Sequence, residues 1–324
     1  MKAIVFAARH QVALADVARP DPGAGEVLVR SRAIGICHSD FEVLDGRYIL
    51  PVSFPLIPGH EWAGEVAEVG AGVTGVRPGD RVVGECAVAA DHHFGLTSDG
   101  AAAEYFRVRP EWLHLLPDEL SWSQGALVEP FSVAYHATRA AGGVDASDTA
   151  VVLGAGPIGL CCVAATVALG ARTIVVDPIA HRRAVAATLG AEAAVDPGAG
   201  DVVELVRRLT GGRGADIVLE ASGSPTAMAN ALDVAAYQGR LVFIGINVGA
   251  AAPAPMGLIQ SRALTMRGII GSPDVWPATL RFLARSGLDL TPIVTATYPL
   301  ESGPDAFAAA RRTDEQIKVH ILHG

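Results

Sequence analysis

The sequence is poor in cysteine, and its few cysteines are badly spaced for a disulfide framework. Only Cys37, Cys86, Cys161 and Cys162 occur in 324 residues. Cys161 and Cys162 are adjacent in an apolar helical run and read most simply as buried thiols. A disulfide-stapled secreted domain is thereby excluded, and the reducing cytoplasm is the expected compartment. Blocks of Lys and Arg are missing too. With 25 basic against 34 acidic residues and a formal charge of -9, the chain lacks the concentrated basic footprint of a nucleic-acid surface. No run is long enough to span a membrane: the most apolar stretch, GLCCVAATVAL, is too short. The opening MKAIVFAARHQVAL has neither the continuous apolar core nor the small-residue cleavage site of a secretory signal. Charged residues make up 18% and hydrophobic ones 50%, which marks a compact globular chain with length for about two domains.

Two textures divide the chain. Up to about Asp145, short β-branched runs such as EVLVRSRAIGI, HEWAGEVAEVG and DRVVGECAV are bounded by Gly, Pro or Asp, which predicts a β-rich module. From about Thr149, apolar strands alternate with helical runs: TAVVLGAG, PIGLCCVAATVALG, RTIVVD, HRRAVAATLG, DIVLEASG, RLVFIG. That alternation predicts βαβ units and a parallel sheet. PIVTATYPL and KVHILH then return to strand character. The expected class is α/β, with limits at 1–147, 148–288 and 289–324.

Within VVLGAGPIGL, Gly154, Gly156 and Gly159 form a G-x-G-x-x-G pattern between a predicted strand and helix. The first glycine suits a tight turn, the second admits a pyrophosphate to the backbone, and the third permits close helix–strand packing. Pro157 fits the first helical turn, where no N–H is needed. Asp177 ends the next strand. A carboxylate there can accept from an adenosine ribose and repels a 2′-phosphate, which predicts NAD over NADP; its ordinary structural reading is a helix cap. Arg182 is placed to lie beside the adenosine end.

A second constellation is scattered through the first domain. Cys37 lies in AIGICHSD, His60 and Glu61 in FPLIPGHEWAGEV, and Glu129 in GALVEPFSVAYHA. A thiolate, an imidazole and a carboxylate suit a catalytic zinc with an open position. Asp40 is a candidate acceptor for the non-ligating nitrogen of His60. Each residue also has a plain reading: a buried thiol, a turn carboxylate, a cap for a helix starting near Pro130. Spacing alone does not choose between these.

Taken together, GICHSD, IPGHEWAGEVAEVGAGV, RPGDRV, VEPFSVAYHA, GAGPIG, IVVD and IKVHIL resemble the medium-chain dehydrogenase/reductase superfamily, in its zinc-dependent alcohol dehydrogenase branch. VEPFSVAYHA and Trp276–Pro277 are most similar to the polyol (sorbitol) and threonine dehydrogenases. The resemblance implies a GroES-like catalytic domain, a Rossmann doubly wound domain and a C-terminal return to the first. It implies Cys37 and His60 as zinc ligands with Glu61 or Glu129, the two glutamates able to alternate. It implies cofactor contacts at Ile158, Asp177, Arg182, Ile244–Gly245–Ile246 and Ile269–Ile270. Ser39 would pass a proton from the alcohol outward toward the cofactor ribose, with Glu42 a candidate for the outer end, and a homo-dimer or tetramer is expected.

Three departures qualify this. GECAVAADHHFGLTSDG holds one cysteine and two histidines where relatives with a structural zinc carry four cysteines, so no structural zinc is expected. Glu42 stands where a relay histidine is common, and Gly271 falls near an arginine of sorbitol dehydrogenases. The expected activity is hydride transfer between NAD and a medium-sized polar secondary alcohol (polyol, cyclitol or amino-alcohol type), giving a ketone, beside a pocket of Ser39, Phe41, Tyr48, Phe54 and Glu129. The rivals are a zinc-free quinone or enone reductase and a non-catalytic dinucleotide-binding protein.

Overall fold

The computed structural model describes residues 1–323 and divides into two compact units, one formed by residues 1–129 with the segment from Trp276 onward, the other by Pro130–Val275. The four cysteines carry free thiols. No helix among the described residues is long and apolar enough to cross a membrane.

In the first unit, a seven-stranded sheet is built around the ten-residue strand Val27–Ile36. Glu61–Val69 runs antiparallel along one side of it, and Lys318–Leu322, also antiparallel, along the other. Eight of the ten positions of Val27–Ile36 are buried, so it reads as a nearly continuous apolar run rather than an alternating one. Its register sets which polar residues meet at its carboxyl end. Gly35 sits opposite Glu61 and also opposite His320, and Ile36 opposite Val319.

The second unit carries a six-stranded parallel sheet in the spatial order Ala193–Val195, Arg172–Val176, Thr149–Leu153, Ala215–Glu220, Ala235–Phe243, Thr265–Gly268. In sequence order that is 3-2-1-4-5-6, the doubly wound arrangement expected from the alternating pattern. The central strand Thr149–Leu153 is buried throughout, as a strand covered on both faces requires. Direction reverses beside it, and the glycine turn leaves its carboxyl end. Ligands of open α/β sheets bind at such a switch point.

The short helix His38–Leu44 continues directly from Val27–Ile36 and carries Ser39, Asp40 and Glu42. Its start is closed by a reciprocal capping box between Cys37 and Asp40, which satisfies donors that a helix start leaves open. Its end is pinned by Asp45, whose carboxylate pairs with Arg311 at 2.7 Å and Arg47 at 2.9 Å, while the Arg311 guanidinium lies 4.6 Å over the Phe41 ring. A carboxylate is unfavourable at a helix C-terminus, so the two arginines are what make this one tolerable. Hydrogen bonding from Arg311, with Arg47 adding, holds the Asp45 carboxyl down to about 2 despite some burial. A depressed pKa in the fold contributes stability that is complete above the ordinary carboxylate range and is lost as pH falls through the folded value. Replacing Asp45 by Asn is therefore expected to lower the urea midpoint at neutral pH and to flatten its fall between about pH 4 and pH 2. An unchanged acid limb in Asp45→Asn would refute this assignment.

Candidate metal centre and dinucleotide site

Strand register assembles the first site. Cys37 leaves the end of Val27–Ile36, Glu61 opens the neighbouring strand, and His60 precedes it. Ligand atoms of Cys37, His60 and Glu61 all lie within 4.8 Å of one another. Asp40 is 1% exposed, His60 3% and Glu61 1%, a depth at which polar side chains need partners. One Asp40 oxygen accepts the Cys37 N–H at 2.8 Å, and the other faces His60 Nδ1 at 3.3 Å. Neither of those two facing atoms completes an aligned hydrogen bond. Burial opposes a charge on His60, but Asp40, then Cys86 and Cys37, outweigh it and raise the imidazole well above its ordinary range.

Glu61 is held by a residue that the sequence motifs do not single out. Lys318 Nζ lies 2.7 Å from each Glu61 oxygen and donates a third bond to the Ile36 carbonyl at 3.0 Å. All three ammonium donors are thereby used. Burial pulls the ammonium pKa down, yet the Glu61 carboxylate and then Cys37 hold it well above its ordinary range. Room for the carboxylate comes from Gly35: a Cβ there would stand 2.3 Å from Glu61 Oε2. Both features left a trace in the sequence, a lysine inside the apolar strand IKVHIL and a glycine inside a strand.

Glu129 lies outside the close three-residue group. It occupies the first turn of helix Val128–Ala140, which starts before Pro130. Burial, with the neighbouring Glu61 carboxylate, pushes its pKa upward, while His60 acts the other way. Ser39 Oγ is 3.8 Å from Cys37 Sγ, and Glu42 is one helical turn further, half-buried.

The shortened lobe supplies neighbours that the motifs give no sign of. Burial pushes the Cys86 thiol up to about 12, with Glu129, Cys37 and Asp40 adding to it and His60 opposing. Tyr48 Oη and His93 Nδ1 are 2.5 Å apart. Burial, then Cys86, raises the Tyr48 phenol far above its ordinary range, and burial, with His60 and His92, lowers His93. The pair is thus a neutral phenol hydrogen-bonded to a neutral imidazole, the imidazole tautomer setting which of them donates. His92 Nε2 lies 2.8 Å from Ser98 Oγ, and its ring meets Trp112 edge-on.

The dinucleotide motif sits where the switch point requires. Gly154 has φ +96°, and a Cβ on it would stand 2.8 Å from the Ser222 Cβ. A Cβ on Gly159 would stand 1.9 Å from the Gly154 carbonyl oxygen. Gly156 is different: a Cβ there would meet nothing nearer than Arg182 Nη1 at 3.9 Å. It is the N-cap of helix Pro157–Ala168, with Pro157 in the first turn and no side chain capping the helix. Free N–H groups at such a terminus, with space above a bare Cα, fit a pyrophosphate. Ile158 is half-buried in that first turn. Asp177 is 4% exposed, and its carboxylate accepts the Ala155 N–H at 2.7 Å and the Ile179 N–H at 2.8 Å. It therefore ties the glycine turn to the next strand, a role additional to any ribose contact. Ile244–Ile246 and Ile269–Ile270 leave the carboxyl ends of adjacent strands, joined by an Ile269 N–H bond to the Phe243 carbonyl at 3.0 Å. Ile246 and Ile270 are exposed.

Two family models match the chain: the alcohol dehydrogenase GroES-like domain over residues 23–118 and the zinc-binding dehydrogenase over residues 157–285. Sorbitol dehydrogenase of Bacillus subtilis is 33% identical, over 99% of this chain and 97% of its own. The crystal structure of 2R,3R-butanediol dehydrogenase from Bacillus subtilis superposes with a TM-score of 0.91 at 32% identity, covering 99% of each chain. A Sinorhizobium meliloti protein solved with NADP bound gives a TM-score of 0.88 at 27% identity, covering 99% of this chain and 98% of that one. This chain belongs to the zinc-dependent alcohol dehydrogenase family. It is accordingly an NAD(P)-binding oxidoreductase of the medium-chain superfamily that acts on CH–OH donors.

The Lys318–Glu61 pair gives a direct test. Removing one partner of a buried pair leaves the other charge uncompensated, so Lys318→Met is expected to cost about 3–5 kcal/mol. Urea unfolding with chelator present measures it, and adding Glu61→Gln should return most of the loss. A deficit below about 1 kcal/mol, the range of exposed pairs, would mean the pair is not buried as described.

Proposed function

We propose that the protein is an NAD-dependent dehydrogenase of polar secondary alcohols, working with one catalytic zinc and no structural zinc. The observation that carries this reading is the convergence of Cys37, His60 and Glu61 on one buried point, with Asp40 behind His60. The donor set fits zinc: a thiolate, an imidazole and a carboxylate, short of a closed tetrahedron. Glu129 is the alternative carboxylate ligand, and Lys318, bonded to both Glu61 oxygens, would compete with a metal for Glu61. When bound, zinc supplies Lewis acidity to the substrate oxygen, and NAD supplies a two-electron acceptor.

The chain's own residues do the rest. Asp40 faces Nδ1 of the His60 ring and would leave Nε2 for a metal, the usual place of a carboxylate behind a ligating histidine. Ser39 stands beside Cys37 and takes the alcohol proton through its hydroxyl. Glu42, three residues on, lies on the same helix face and receives it. Tyr48, protonated and backed by His93, offers its phenol oxygen as a hydrogen-bonding partner for a second substrate hydroxyl. This supports a polyol, cyclitol or amino alcohol rather than a simple alkanol, in keeping with what the sorbitol and butanediol relatives act on. Asp177 supports NAD, because a buried carboxylate repels a 2′-phosphate. Domain limits at 147/148 and 288/289, a cytoplasmic location and a homo-dimer or tetramer complete the reading.

A panel of polyols, cyclitols and amino alcohols, followed by NADH absorbance with zinc measured on the same sample, tests it. About one zinc per chain is expected, lost with activity in Cys37→Ala. Asp40→Asn should lower zinc affinity or turnover about 10–100-fold. Full activity in chelator with a strong NADPH preference would replace this reading by a zinc-free reductase.

The glycine turn makes a separate forecast. Gly156→Ala should fold normally yet weaken NADH binding about ten-fold or more, since its Cβ fills only the space left for phosphate. Gly159→Ala should lose stability and binding together. Equal melting temperatures for the two variants would contradict the assignment.

A further inference from the structure

Glu220 is a carboxylate for which the proposed mechanism has no use. It ends the strand Ala215–Glu220, beside the switch point, and is 1% exposed. No cation is paired with it among the described residues. Its side chain accepts the Ser222 N–H at 2.9 Å, the Ser222 hydroxyl, and the Gly223 N–H at 3.1 and 3.2 Å from its two oxygens. Its own carbonyl accepts the Ile244 N–H at 2.8 Å and the Gly245 N–H at 3.0 Å. One residue thus binds two loops, the Ser222–Gly223 turn by its side chain and the Ile244–Ile246 turn by its backbone. The loops also interlock: a Cβ on Gly245 would stand 2.0 Å from the Gly223 nitrogen, and Asn247 Nδ2 donates to the Gly223 carbonyl at 2.9 Å. A shift of the Gly223 amide therefore has to move the Ile244–Ile246 turn.

The sheet order says which half of the cofactor feels this. Each half of a doubly wound sheet binds one mononucleotide. Asp177 lies on the side of strands Arg172–Val176 and Ala193–Val195, the adenosine side. Glu220 and Ile244–Ile246 lie on the side of Ala235–Phe243 and Thr265–Gly268, which leaves them the nicotinamide half. Burying a carboxylate without a counter-charge is costly, and its amide donors offset that cost only while they keep their positions. We infer that Glu220 is a positioning residue that fixes the Ile244–Ile246 turn as the seat of the nicotinamide half, acting through Ser222 and Gly223 without touching the cofactor. The inference rests on the dinucleotide reading of this unit.

Glu220→Gln keeps the shape but turns an amide NH2 toward one of the two N–H donors. NADH and ADP-ribose, which lacks nicotinamide, are titrated into wild type and variant by calorimetry. NADH affinity is expected to fall about ten-fold, the size of one disrupted charged hydrogen bond, while ADP-ribose stays within about two-fold. Ser222→Ala, which removes the hydroxyl donor to Glu220 together with the acceptor of the Ser224 N–H, should give a smaller split of the same kind, about three-fold, and serves if Glu220→Gln does not fold. A variant that loses both ligands equally, or neither, overturns the inference while the dinucleotide reading stands. Wild type that binds neither ligand overturns that reading, and the inference with it.

Discussion

The strand register that sets Gly35 between Glu61 and His320 is the constraint on which the candidate metal centre depends. With side chains alternating every residue, a slip of one position would send Glu61 to the other face of the sheet. It would also put a side chain where Gly35 leaves room for the carboxylate. The same register brings Lys318 to Glu61 from the opposite neighbour of Val27–Ile36, joining residues 257 apart in sequence. Register is in turn over-determined by the buried apolar run of the central strand. The site is thus held by packing that has nothing to do with its chemistry, as rigid ligand positioning requires.

Charge then decides how the buried carboxylates behave. Glu61 has a cation and Asp45 has two arginines, whereas Asp177 and Glu220 have backbone amides. A cation fixes a side chain and leaves the backbone alone. Amide donors do the reverse: they fix the chain that carries them, which is what a turn beneath a dinucleotide needs. Cations meet Glu61 and Asp45, while amides meet Asp40 beside the proposed metal ligands and Asp177 and Glu220 at the carboxyl ends of the parallel strands.

Legibility tracked the range of the signal. Gly154, Gly156, Gly159, Pro157 and Asp177 could be read because strand, turn and helix succeed one another within about one βαβ unit. Cys37, His60 and Glu61 were visible only as residue types, because nothing local says that Val27–Ile36 lies beside Glu61–Val69. Resemblance joined them. Lys318 was missed because its partner lies at the other end of the chain, although a lysine in an apolar strand already announces a buried counter-charge. Glu220 was missed for a subtler reason. DIVLEASG reads as a strand ending in a polar residue, and a partner set made mostly of backbone N–H groups leaves little mark in the side chains.

The Tyr48–His93 pair shows how a shortened segment can gain a role. A lobe with four cysteines would direct its side chains at a metal of its own. Here the lobe carries Cys86, His92 and His93; His92 turns to Ser98 and Trp112, while His93 backs the phenol of Tyr48. Because both members are neutral, a single uncharged hydrogen bond to His93 fixes the position of the Tyr48 oxygen. The tyrosine oxygen keeps a lone pair for an incoming donor, and its proton can be exchanged with an incoming acceptor. In the proposed reading that suits a second substrate hydroxyl, which stays a hydroxyl while the reacting carbon passes between alcohol and ketone. An aliphatic side chain at position 48 would bind both through contact area alone and could not favour substrates with a second hydroxyl.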